Sequence, residues 1–199
     1  MAATGIPQLR AVADYQFGAG AGAALFPADE KGATEIRRST SGRPQQVLAG
    51  AGRIVSYNVD GRFTLGLEGG RRLTNVFPVP RCRVNVGAES VPFVCDGKNA
   101  FCKFVRRVDP AIRSGDEVLV TYDAGDEEDT GTGNDTDETV TSDETAETDG
   151  TTRDEPHGKA DVEPGTLLAV GRAELAADTM ADFETGVAVK IRDAIGATE

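Results

Sequence analysis

Lys98, Lys103, Arg106 and Arg107 form the densest basic stretch of the chain, and the chemistry open to such a group is the holding of phosphate oxygens. Apolar and polar residues alternate from Ala100 to Val105. A strand there would set Lys103 on one face with Phe101 and Val105 and turn Cys102, Phe104 and Arg106 to the other. A face mixing cations and rings can hold phosphates beside apolar surface; it can equally be a solvated basic surface. Lys190 and Arg192 share one face of a second alternating segment, and Arg172 stands near the end of a third. These three fit either a phosphate-binding face or ordinary edge-strand charge. Arg71, Arg72, Arg81 and Arg83 make a further group, which either extends the basic surface or forms ion pairs between domains.

No catalytic set accompanies these cations. The sole histidine, His157, lies in an acidic tract, so the remainder offers no Ser-His-Asp or Cys-His arrangement. Asp135-Thr136-Asp137 opens like a calcium loop, but Thr139 and the missing glycine break the pattern. Gly18-Ala19-Gly20-Ala21-Gly22 hints at a phosphate loop, yet it follows a helical pattern and Ala23 stands where a third glycine is required. A flexible turn is expected instead. Cys82, Cys95 and Cys102 form no Cys-x-x-Cys pair and read as free thiols. No catalytic residue, metal site or cofactor is expected.

The charge is divided unevenly. The chain of 199 residues has 33 acidic and 21 basic side chains, for a net of -12. Asp123 to Pro164 alone holds 16 acids against Arg153 and Lys159, a net of -14, which leaves the rest at +2. The overall acidity therefore does not argue against a polyanionic partner for the remainder. The tract of residues 124–164 is Asp, Glu, Thr and Gly with almost no large apolar side chain, so it cannot offset the entropy of ordering and reads as a disordered acidic insert. Such an insert would act as a solvating device or would fold back over the basic face and compete with a polyanion. Arginine outnumbers lysine 16 to 5 beside heavy Asp and Glu use, a composition that fits a halophilic source. No apolar run approaches the roughly 20 residues that cross a bilayer, and Met1–Gly5 offers no basic or apolar leader. A cytoplasmic protein with no membrane association is expected.

The elements that must position these residues can be read around the insert. Pro7 to Phe17 has helical spacing. Strand-like segments follow near residues 34–39, 45–48, 53–58 and 62–65, separated by Ser41-Gly42, Gly50-Ala51-Gly52 and Asp60-Gly61. Glu68 to Phe77 reads as a helix that Pro78 and Pro80 close, which sets a domain boundary between residues 1–79 and 80–199. In the second domain, Arg81 to Val86 alternates as a half-buried strand and Val91 to Asp96 fits a short helix ended by Gly97. Asp109-Pro110 is a turn. Strands at 115–123 and 165–173 would pair once the insert is set aside. A helix near 175–183 and a last strand at 187–192 finish the chain.

Four stretches in the second domain carry a resemblance. They are Val94-Cys95-Asp96-Gly97-Lys98-Asn99-Ala100-Phe101, Ile112-Arg113-Ser114-Gly115-Asp116-Glu117-Val118, Leu168-Ala169-Val170-Gly171-Arg172-Ala173 and Gly186-Val187-Ala188-Val189-Lys190-Ile191-Arg192. In order and spacing they resemble a PUA domain, the small RNA-binding module of tRNA- and rRNA-modifying enzymes. In the first domain, Asp14-Tyr15-Gln16-Phe17-Gly18-Ala19-Gly20-Ala21-Gly22, Phe63-Thr64-Leu65 and Gly69-Gly70-Arg71-Arg72-Leu73 are similar to the pre-PUA region of archaeal tRNA-guanine transglycosylases and archaeosine synthases. The catalytic barrel of those enzymes has no room in this chain. The acidic insert is the one large departure, at a hairpin the family closes tightly.

The resemblance implies an α+β protein: a small α/β pre-PUA domain, then a PUA pseudobarrel of mostly antiparallel strands with two helices. It also implies a non-catalytic RNA-binding protein for tRNA or other structured RNA, or else the RNA-binding subunit of a split tRNA-modifying enzyme of the archaeosine pathway. The helix-to-strand turn of PUA domains lies against RNA, which implicates Gly97 for close backbone approach, Lys98 for phosphate and Asn99 for a ribose or base edge. The last strand would lie beside the first helix of that domain, forming one groove with Lys190 and Arg192. The RNA-contacting set is thus Gly97, Lys98, Asn99, Lys103, Arg106, Arg172, Lys190 and Arg192. The partner implied in either reading is RNA, with tRNA foremost, and in the second reading also a tRNA-modifying enzyme.

Overall fold

The computed structural model describes residues 5–28, 34–125 and 162–196. Its order is α1 (Ile6–Phe17), α2 (Ala21–Leu25), β1 (Glu35–Arg38), β2 (Pro44–Ala49), β3 (Gly52–Tyr57), β4 (Phe63–Leu65), α3 (Leu67–Val76), β5 (Arg83–Val86), α4 (Val91–Cys95), β6 (Ala100–Phe101), β7 (Val105–Val108), β8 (Glu117–Tyr122), β9 (Leu167–Ala173), α5 (Ala177–Asp182) and β10 (Val187–Ala194). The first four strands form an antiparallel meander, and the other six form a sheet ordered β6-β10-β9-β8-β5-β7. Only the β5–β8 pair in that second sheet is parallel. The fold is α+β with a nearly closed pseudobarrel of mostly antiparallel strands, as expected.

The pairing of β8 with β9 joins the two segments that flank the acidic tract. Their register runs from Glu117↔Arg172 to Thr121↔Leu167. It closes where Gly165 donates to the Tyr122 carbonyl at 2.8 Å and Tyr122 donates to Thr166 at 3.0 Å. The disorder expected of the insert concerns residues that lie mostly outside the described ones.

The apolar runs Val118-Leu119-Val120 and Leu167-Leu168-Ala169-Val170 are continuous rather than alternating because both faces of these strands are covered. Val118, Val120 and Leu168 face the core inside the six-stranded sheet, with Val84, Val94, Met180 and Val189. Leu119, Leu167 and Val170 face the other way, into a core shared with Leu9, Phe26, Val55, Phe63 and Leu73. Helix α3 reaches this outer face through glycine: a Cβ at Gly70 would collide with Val170 Cγ1 and meet Leu167 Cδ2 at 3.0 Å. The first meander thus packs on the second sheet across an apolar core that is bordered by polar bonds.

Several local expectations are corrected. The glycine-rich segment after α1 is a turn as expected, but a brief one, because α2 begins at Ala21. Its Gly22 is pinned by donating to Asp14 Oδ1 at 2.8 Å, and a Cβ there would meet the Arg10 carbonyl at 2.5 Å. β5 is not half-buried: Val84 and Val86 enter the inner core, while on the other face Arg83 is covered by the end of α3 and Asn85 bonds Thr121. The alternating segment 100–105 is not one strand. It breaks after Phe101 into a 3₁₀ turn at Cys102–Phe104 before β7 begins, and the face assignment for Lys103 and Arg106 falls with it.

Candidate RNA interface

Gly97 ends α4 with φ +79°, a conformation open to glycine at little cost, and the Lys98 amide returns to the Phe93 carbonyl at 2.9 Å. This turn is stitched to the last strand. Asn99 Oδ1 accepts the Ile191 N–H at 3.1 Å, β6 pairs with β10, and the Gly196 amide donates to Cys95 at 3.0 Å. Lys98 and Lys190 therefore flank one hydrogen bond, each a single residue from it, and both side chains are exposed. Lys98 has only a loose contact with Asp96 at 3.8 Å, and Lys190 has no ion pair among the described residues. The role expected of Asn99 shifts: its carbonyl is committed to the strand, so its first task is to position the turn.

On the adjoining strands, Lys190, Arg172 and Glu117 stand in one cross-strand row. Residues opposite one another share a face, so this row lies on one side of the sheet. Arg172 donates to Glu174 at 2.7 Å and stays 41% open. Arg192 reaches back to the row, with Nε 3.3 Å from Glu117 Oε1, because β10 carries an irregularity between Ile191 and Asp193. The structure thus places Arg192 at the seam between the two sheets. Lys190 and Arg192 both adjoin Ile191 beside the Gly97 turn, and the Arg192 side chain reaches to Glu117.

Glu117 is buried at the centre of this seam, and its Oε2 accepts the Leu65 N–H at 3.0 Å. Burial raises its pKa above the ordinary value, opposed by the Leu65 hydrogen bond and by the charges of Arg192, Arg172 and Arg53. Two residues along the chain, the Leu67 N–H donates to Asp193 Oδ2 at 3.1 Å, and Arg53 donates to the same oxygen at 3.2 Å. A carboxylate at the first turn of α3 meets an N–H that has no partner inside the helix and the positive end of its dipole. Two carboxylates of the second sheet therefore clamp Leu65-Gly66-Leu67 of the first.

The remaining expected residues lie apart from this row. Lys103 sits on the 3₁₀ turn with its ammonium 4.7 Å from the Phe104 ring centre, and Arg106 projects from edge strand β7 and pairs with Glu89. In the group of Arg71, Arg72, Arg81 and Arg83, the bonds among the described residues go to backbone carbonyls and, within α3, to Glu68. Arg81 donates to the Phe17 and Ala19 carbonyls and covers the Phe77 ring, and Arg83 donates to the Thr74 and Phe77 carbonyls at the end of α3. Arg72 bonds Glu68 within α3. Sequence reasoning missed Arg53 and Glu117 because their partners are remote in sequence: Arg53 and Asp193 stand 140 positions apart.

The thiols are free. Burial, with Asp109 adding to it, pushes the Cys82 thiol up to about 11. The described residues contain no group of three His, Cys, Asp or Glu side chains able to hold a metal ion. No helix among them is long and apolar enough to cross a membrane.

Two modules define the class of this chain. Residues 7–80 match the patch-forming domain C2 of tRNA-guanine transglycosylase, and residues 82–133 match the PUA domain. Its relatives are archaeal: the chain is similar to the C-terminal part of tRNA-guanine(15) transglycosylases. It is 35% identical over 191 residues to that of Pyrococcus abyssi, across 96% of this chain and 25% of the relative. It is 47% identical over 111 residues to that of Thermococcus kodakarensis, across 55% of this chain and 18% of the relative. The chain therefore spans a quarter or less of these relatives. A hypothetical protein from Pyrococcus horikoshii shares the fold with a TM-score of 0.57 at 16% identity, covering 95% of this chain and 89% of its own. A conserved PUA domain protein from Thermoplasma acidophilum does so with a TM-score of 0.52 at 16% identity, covering 96% and 91%.

Proposed function

We propose that the chain binds structured RNA, with tRNA as the principal substrate class, and that the Gly97 turn and β10 form the primary contact. The PUA match and the likeness to the C-terminal part of transglycosylases that act on tRNA support the RNA-binding role. The observation that carries the site is the Asn99–Ile191 hydrogen bond, which holds Lys98 and Lys190 open on either side. Fixed cations of this kind take phosphate oxygens, while base edges and 2′-hydroxyls supply discrimination. Gly97, Lys98, Lys190 and Arg172 are the near contacts in this reading, and Lys103 and Arg106 lie peripheral to them. The chain itself carries no catalytic role. Binding of a tRNA transcript, followed by fluorescence anisotropy, tests the reading: Lys98→Ala with Lys190→Ala should together weaken it about a hundredfold, since each charged hydrogen bond contributes roughly 1.5–3 kcal/mol. Unchanged affinity in the double variant overturns the site.

A second reading follows from the coverage of the relatives. A chain matching a quarter of a transglycosylase fits an RNA-binding subunit whose partner supplies the chemistry. Co-purification of the tagged chain with a transglycosylase or synthase lacking its own PUA domain supports this reading, and recovery of RNA without such an enzyme overturns it.

A further inference from the structure

A cavity of about 250 Å³ opens at the seam, between the end of α1 and the loops that lead into β5 and β8. None of its lining residues belongs to the Gly97 turn or to β10. Its two cations come from different parts of the fold: Arg62 precedes β4 of the first meander, and Arg81 precedes β5. Donors and acceptors are unevenly matched there. Every carboxylate oxygen on the lining already accepts a bond. Asp109 takes the Ala111 and Cys82 amides at 2.9 and 2.7 Å. Asp116 takes the Arg113 amide at 2.9 Å and Arg62 Nη2 at 3.2 Å, and Glu117 is held by Leu65 and Arg192. Gln16 is closed by both of its amide atoms on the Phe63 backbone.

The guanidinium groups are not used up. Arg62 spends Nη2 alone on Asp116, and Arg81 spends Nη2 alone on the Phe17 and Ala19 carbonyls, at 2.9 and 3.2 Å. Since a guanidinium spreads its donors over three nitrogens, Nε and Nη1 of both arginines have no hydrogen-bond partner among the described residues. Arg81 is also held in place. Its guanidinium carbon lies 3.8 Å from the centre of the Phe77 ring, and Gly18 makes room for it, because a Cβ there would collide with Nη2. Beside it, Cys82 has φ +58°, a left-handed conformation kept by Asp109 at its N–H and by the Leu119 amide at its carbonyl. Strain of this kind persists only where the surroundings over-determine it, and it gathers at ligand clamps. In charge the surroundings balance: Arg62, Arg81 and Arg192 stand against Asp109, Asp116 and Glu117. The cavity therefore selects by its free donors rather than by net charge.

We propose that this seam cavity binds a small free oxyanion, of the size of inorganic phosphate or a short carboxylate, with the spare N–H groups of Arg62 and Arg81 as its donors. An oxyanion has several acceptor oxygens and can take charge-assisted hydrogen bonds from both arginines at once. A small amine would find every carboxylate oxygen already bonded, and an apolar solute would leave the donors unmet. Arg62 is 50% open, so the ion enters from solvent. The site is independent of the RNA-binding reading. Because its two arginines come from either side of the seam, a bound ion would tie the first meander to the segment that begins the second sheet.

The test uses the full chain and NMR, with sodium phosphate and sodium malonate each titrated against sodium chloride at equal ionic strength. The amides of Gly18 and Cys82 and the Nε–H signals of Arg62 and Arg81 should shift saturably with phosphate or malonate and not with chloride. Arg62→Gln should weaken that binding about tenfold, the loss expected for one charged hydrogen bond, and Lys98→Ala should leave it unchanged. Arg81→Lys should weaken it as well; if that variant fails to fold, Arg62→Gln decides alone, since its side chain is half exposed and makes a single hydrogen bond. Shifts that stay linear in concentration, or that chloride reproduces, overturn the proposal, as does saturable binding that the arginine variants leave intact. A tRNA transcript supplies the last arm: if the seam signals move with the transcript but with neither small anion, the ligand is an RNA backbone and the small-oxyanion site is wrong.

Discussion

Gly70 and Val170 touch across the two sheets so closely that no side chain fits between them. Gly70 lies in α3 of the first meander and Val170 in β9 of the pseudobarrel. Their contact sets how near the helix comes to the strand, and the Leu65 and Leu67 clamps follow from that approach. Gly70→Ala should therefore cost about 1–3 kcal/mol through overpacking, measured by denaturant unfolding.

Asn99→Ala removes an acceptor from the Ile191 N–H. The expected loss is about 1 kcal/mol of stability for one hydrogen bond. A larger consequence is expected in hydrogen exchange: the Ile191 amide should exchange faster, together with amides of the Gly97 turn. Retention of the protected amide in the variant would show that the strand finds another partner.

Glu117 makes a prediction with a definite sign. Its pKa is raised in the folded chain above its ordinary 4.5, mainly by burial. The protonated form is the one favoured by folding, so this contribution to stability is fully present below about 4.5 and is lost as pH rises through the raised value. Glu117→Gln keeps an acceptor for the Leu65 N–H and cannot titrate. Unfolding free energy plotted against pH should fall less steeply through that window in Glu117→Gln than in the unaltered chain. Superimposable profiles would remove the assigned cause.

Cys82 should be slow to alkylate. With its thiol pushed to about 11, almost none is thiolate near neutral pH, and the thiolate is the nucleophile. Iodoacetamide at neutral pH, read by mass spectrometry of the folded chain, should leave Cys82 unmodified long after a denatured sample has reacted.

Much of the fold could be read from the sequence because its signals were local. Asp60-Gly61 marks the β3–β4 turn, Gly97 marks the end of α4, and the β8 and β9 segments reveal each other through matching apolar runs. The segment at 100–105 misled because its alternation satisfies a strand and gives no sign of the turn at Cys102–Phe104; there the pairing of Phe101 with Val187, remote in sequence, decides. The candidate surface was legible only in part. Lys98 and Lys190 stand out by type and by resemblance, whereas Arg53 is one arginine on an ordinary strand until Asp193 is folded against it. Asn99 stands out in the sequence as a candidate contact to a ribose or base edge, but its carbonyl answers to a backbone amide that only tertiary structure supplies.

The closure of the β8–β9 hairpin by Tyr122, Gly165 and Thr166 also makes this point a natural cloning junction. Register on either side is fixed by the ladder alone, so the length and content of what passes between the two ends can drift without moving Arg172 or Glu117. A reporter domain, an affinity tag or a tethered enzyme grafted here would leave through a port already braced from both sides.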